Sequence, residues 1–253
     1  MAFDALRSNP IARRLIARQN RRLPLWVWAV IAGVLFTGSM LMVILIPVLR
    51  AQILGVFLFV GIVTAWFFLI VVTGGTARQA AYLAVQDVDS EEFELFRLTT
   101  VSGEARIWGY ALAALHANRT AVAICAGLLP LVVLGTPAAT TFFDTLLNSS
   151  VFQQGIGEVL LRAARTTAVT ITFLGLTFHG ALFGTGIGLW LGRRWLAGFI
   201  SSGTMFLLSS LVLLAVYALT NLPVPSLLIA VVLALAAFAL LPVTVRWAQR
   251  YAV

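Results

Sequence analysis

Six apolar stretches, each roughly 20 residues or a little longer, leave this chain few ways to fold. They run from Leu25 to Ile46, Ile53 to Thr73, Tyr110 to Leu134, Thr166 to Leu191, Leu196 to Leu219 and Leu227 to Val245. A hydrocarbon core about 30 Å thick takes roughly 20 residues of helix to cross, and a helix satisfies every backbone polar group within itself. The pattern predicts an all-α, polytopic membrane protein with six transmembrane helices in a single transmembrane domain over residues 1–253. Composition agrees: 61% of residues are hydrophobic and 10% charged, against about 25% charged in an ordinary soluble domain. The first stretch follows an arginine-rich start, but it is far longer than the apolar core of a signal peptide and is expected to remain as a span.

The basic residues flank the apolar stretches. Spans alternating from one side would put fourteen of the seventeen arginines on the side that holds both termini, leaving Arg50, Arg162 and Arg165 opposite. By the positive-inside rule, both termini are expected in the cytoplasm. The net charge of +8 therefore reads as orientation and contact with membrane lipid, not as a nucleic-acid surface. Every basic residue is arginine. A phosphate-binding loop of the common ATPases needs a lysine, so any ATP-driven work would be powered by another polypeptide. The single cysteine, Cys125, excludes an intrachain disulfide and a two-thiol metal site.

Asn9-Pro10 has the form of a helix start, with an N-cap acceptor before a proline in the first turn. Over residues 9–23, Ile11, Ala12, Leu15 and Ile16 recur on one side. Arg13, Arg14, Arg18, Arg21 and Arg22 take the rest. This predicts an amphipathic helix lying in the membrane interface.

The segment 87–106 interrupts the apolar chain between the second and third stretches. With its neighbours to Tyr110 it holds six of the nine acidic residues. Gly74-Gly75 is expected to end the second span. Asp89 can cap a short helix over Glu91 to Leu98, with Phe93, Leu95, Phe96 and Leu98 as its apolar surface and Glu91, Glu94 and Arg97 as its charged one. Thr99 to Ser102 breaks that helix, and Ser102 can cap the next.

EEFELFRLTTVSGEARIWGYALA resembles the cytoplasmic link between the second and third spans of permease subunits of type-2 ABC exporters, through Glu92, Leu95, Leu98, Thr99, Ser102, Ile107 and Gly109. NPIARRLIARQNRR is similar to the start of many such permeases. The resemblance implies a location in a prokaryotic inner or cell membrane. It also implies that Glu91, Glu92, Phe93, Leu95, Phe96 and Leu98 form a coupling helix docking on a separate ATP-binding cassette ATPase subunit. ATP and Mg would then be bound by that partner, with no cofactor held by this chain. A second permease copy or a sibling permease would complete the assembly.

Other residues stand out within the spans. Gly180, Gly184, Gly188 and Gly192 recur every four residues, a ridge that lets helix backbones approach closely. Whether the helix packed there belongs to this chain or another is open at this point. His116, Asn118 and Arg119 fall near the start of the third span, where Arg119 reads as an anchor reaching water or as a polar gate or bundle contact. Residues Thr136 to Arg165 read as a long polar-to-amphipathic connection. The rival functions are an intramembrane protease and an ion-coupled secondary transporter or channel. Two separated histidines, His116 and His179, do not supply the usual three ligands of a catalytic metal, and no carboxylate falls inside a predicted span. No catalytic residue and no metal ligand is assigned, and the transported substrate is not encoded in any recognisable motif.

Overall fold

The computed structural model describes residues 9–18, 25–49, 52–88, 101–145, 156–220 and 226–251, and all regular structure among them is helical. The helices are α1 (Pro10–Arg18), α2 (Leu25–Leu49), α3 (Gln52–Val88), α4 (Gly103–Thr145), α5 (Ile156–Leu191), α6 (Arg194–Thr220), α7 (Ser226–Ala239) and α8 (Leu241–Gln249). Among the described residues, three stretches are long and apolar enough to cross a membrane: Gly103–Leu128, Ile171–Leu191 and Arg194–Val212. An all-helical chain with such stretches is the pattern of an integral membrane protein.

Local chemistry sets several helix ends. Asn9 Oδ1 accepts from the backbone N–H groups of Ile11 and Ala12, each at 3.1 Å, and so satisfies two of the orphan donors at the start of α1. Ser102 Oγ accepts from the Ala105 N–H at 3.2 Å in the same way at the start of α4. At the end of α5, Gly192 adopts φ +60° and its N–H donates to Gly188 O at 3.1 Å. This is a left-handed cap that glycine adopts without the steric cost of a side chain. Pro242 lies in the first turn of α8, where its missing N–H is tolerated, just after the chain turns at Leu240.

The paired glycines Gly74-Gly75 do not stop α3, which continues to Val88. A Cβ at Gly74 would lie 3.1 Å from the backbone oxygen of Ser202 in α6. Gly74 thus serves a close crossing of two helices. The 37 residues of α3 span about 55 Å, well beyond the hydrocarbon thickness. Likewise α4 runs unbroken through residues 136–145, and α5 begins at Ile156, so helix replaces much of the expected connection.

The bundle is built around α3 and α5. α3 packs on α4, α5 and α6, while α5 also meets α4, α6, α7 and α8. The glycine ridge supplies the contact between the two central helices. Cβ atoms on Gly180 and Gly188 would lie 3.1 Å from Thr73 O and 2.7 Å from Ala81 O, and one on Gly184 would overlap the Ala77 carbonyl. The ridge's partner is therefore helix α3 of the same chain. Gly192 is not part of that packing: a Cβ there would meet nothing within 4 Å, and its role is to end the helix.

Candidate functional site

The ends of α3, α4, α5, α6 and α8 gather around two small-residue clusters. One joins Ala80, Ile107, Ala111, Ala181, Leu182, Val245 and Ala248. The other joins Ala81, Val85, Ile187 and Ala197. These helix ends carry Arg78, Arg106, Arg193, Arg194, Arg246 and Arg250.

At this end α1 lies against the bundle. Its apolar residues Ile11 and Leu15 are buried with Ala84 of α3 and Tyr110 and Ala113 of α4. The apolar stripe predicted to face the membrane interface is thus covered by protein, while Arg13 stays exposed. Gly109 permits the contact, because a Cβ there would lie 2.8 Å from Ile11 Cβ and 3.0 Å from Asn9 Oδ1.

A buried polar clasp fixes this arrangement. Asp87, one residue before the end of α3, is 4% exposed. Its Oδ1 pairs with the Arg14 guanidinium, and its Oδ2 accepts from the Tyr110 hydroxyl at 2.6 Å. Asn9 Nδ2 donates to Ala105 O at 2.6 Å, tying the start of α1 to the first turn of α4. A buried carboxylate is tolerated against apolar neighbours only with such partners. The clasp brings together α1, the end of α3 and the start of α4. The last two are the helices that enter and leave the acidic insert.

Of the residues expected at the site, Glu91, Glu92, Phe93, Leu95, Phe96 and Leu98 lie outside the described residues, as do Arg21 and Arg22. Arg18 is the last residue of α1. Sequence reasoning grouped Arg14 with the other arginines and missed its pairing. One signal was present: Arg14 follows Ile11 by three residues and adjoins Leu15, so it borders the apolar stripe. Its carboxylate partner, 73 positions away, has no local signature.

Asn118 and Arg119 reach from α4 to neighbouring helices, and His116 pairs with Arg119 within α4. Arg119 is 7% exposed, donates through Nη1 to His116 Nε2 at 2.6 Å, and lies over the Trp28 ring at 5.6 Å. Asn118 Nδ2 approaches Thr76 Oγ1 at 3.5 Å. His179 has both ring nitrogens engaged: Nε2 is 2.6 Å from Ala237 O and Nδ1 is 2.8 Å from Thr244 Oγ1. The carbonyl acceptor requires the proton on Nε2, and the Thr244 hydroxyl facing Nδ1 also lies 3.3 Å from Leu240 O. His179 thereby satisfies a carbonyl in the last turn of α7. Among the described residues, no group of three or more His, Cys, Asp or Glu is placed to hold a metal ion.

Comparison with protein-family models, curated proteins and solved structures gave no match to this chain.

Proposed function

We propose that this chain is the six-span permease subunit of an ATP-binding cassette exporter, paired with itself or a sibling permease and driven by separate ATPase subunits. The observation that carries the reading is the clasp of Asp87 with Arg14 and Tyr110. It joins the amphipathic helix to both helices that flank the acidic insert. A push or pull on the insert would therefore be shared by three elements instead of being lost in a loose loop. Glu91 to Leu98 is the coupling helix in this reading, and the arginine-bearing helix ends face the cytoplasm, where a soluble ATPase can reach them. ATP binding would close the ATPase pair and tilt α3 and α4, switching the bundle between inward-facing and outward-facing arrangements. The absence of lysine from the sequence fits a chain that leaves nucleotide chemistry to its partner.

The test is copurification with a candidate ATP-binding cassette ATPase. The wild type is expected to capture it, and a Glu92→Arg, Leu95→Arg double variant is not. Undiminished capture by the double variant removes the docking assignment. Proteolysis of a membrane substrate by the purified chain alone removes the transporter reading.

A further inference from the structure

From Val159 to Val253 the sequence holds six arginines and no Asp or Glu. Four of them sit on two elements that touch. Arg193 and Arg194 form the turn between α5 and α6, Arg246 and Arg250 lie one helical turn apart around the end of α8, and all four are exposed. Trp190 meets Tyr251 with ring centres 5.9 Å apart, which joins the turn to the end of α8. Asp87, the carboxylate at the nearby end of α3, is already engaged by Arg14 and Tyr110.

Two tryptophans flank the arginine turn, Trp190 at 56% and Trp195 at 72% exposure. Trp195 stacks on Phe199 at 5.7 Å. Beyond it Phe199, then the adjacent pair Phe206 and Leu207, then Leu211 are exposed along α6, two turns and one turn apart. Along α6, Arg194 and Trp195 are followed by this apolar ladder, with Arg193 and Trp190 just before them in the chain.

We infer that this part of the bundle is a binding surface for an anionic lipid, with its headgroup against Arg193, Arg246 and Arg250 and its acyl chain along α6 below Trp195. Charge alone would equally suit an acidic polypeptide. The apolar ladder decides between them, because it continues directly from the arginine turn and matches an amphiphile with a charged head and a hydrocarbon tail. Each arginine near an anionic headgroup contributes about a fivefold gain in binding, so three together give roughly 100-fold.

The test uses the full-length chain in neutral detergent, titrated with phosphatidylglycerol, phosphatidylcholine or glycerol phosphate, and read by native mass spectrometry. Phosphatidylglycerol is expected to bind at least tenfold tighter than phosphatidylcholine, more weakly as salt is raised, and glycerol phosphate is expected not to be retained. The Arg193→Gln, Arg246→Gln, Arg250→Gln variant should lose about 100-fold for phosphatidylglycerol with little change for phosphatidylcholine. Arg193→Gln alone, on an exposed turn, should lose about fivefold and serves if the triple variant does not fold. Equal binding of the two lipids by the wild type overturns the inference. So does an unchanged preference in a folded variant, retention of glycerol phosphate as firmly as the lipid, or displacement of phosphatidylglycerol by an acidic peptide.

Discussion

Replacing Gly184 with alanine tests the crossing at the centre of the bundle. A Cβ at this position would lie 2.7 Å from the Ala77 carbonyl carbon and 2.9 Å from Ala77 Cα, with the carbonyl oxygen closer still. Carbon atoms in comfortable contact are about 3.5–4.0 Å apart, so the two helices must part locally by about 1 Å. The obstructing atoms are backbone and cannot rotate aside. Overpacking of this kind costs about 1–3 kcal/mol, and the rigidity of the neighbour points to the upper half of that range. Alanine's better helix propensity offsets up to about 1 kcal/mol. The net expectation is a loss of about 2 kcal/mol. Gly75→Ala is the matched control: a Cβ there meets nothing within 4 Å, so only the propensity gain of about 0.5–1 kcal/mol applies. Thermal unfolding of the two purified variants in the same detergent, followed by circular dichroism and by tryptophan fluorescence, should move in opposite directions. A Gly184→Ala protein melting at or above the wild type would refute the close backbone crossing.

Two further perturbations address the polar contacts. Asp87→Asn is expected to lower stability by about 3 kcal/mol, since it leaves the Arg14 charge beside a neutral group. In a double-mutant cycle with Arg14→Gln, the pair should show a coupling of about 1–3 kcal/mol, and additive losses would count against the ion pair. His179→Phe removes the donor to Ala237 O and is expected to cost about 1–3 kcal/mol. His179→Gln, which can still donate, should recover part of it in the same unfolding assay; equal losses in the two variants would show that the hydrogen bond contributes little.

The helical character of the chain was legible because hydrocarbon length and backbone satisfaction permit so few alternatives. Caps were legible for a similar reason: Asn9 and Ser102 act through atoms two or three residues away. The glycine spacing announced a close approach, yet its partner α3 is distant in sequence and emerged only from the structure. Gly74-Gly75 was misleading as a stop signal. The motif that ends a soluble helix is also the one that lets two helix backbones touch in a membrane protein, and the Ser202 contact shows the second use. Likewise α1 has the pattern of a helix resting on lipid, but its stripe meets Ala84, Tyr110 and Ala113 instead. An apolar face declares that it will be covered and leaves open by what. The clasp was the least legible feature, since Arg14, Asp87 and Tyr110 come from three helices.

Glycines occupy two sides of α5. Gly180, Gly184 and Gly188 face α3, whereas Gly175 and Gly186 lie close to Ala237 of α7 and Trp247 of α8. Where side chains interdigitate, each knob locks two helices in axial register. A smooth glycine ridge has few knobs to lift over, though it still resists separation through close atomic contact. α5 is therefore shaped like a rail. Along this contact the axial register of α3 is set by close backbone approach at Thr73, Ala77 and Ala81, not by interlocking side chains.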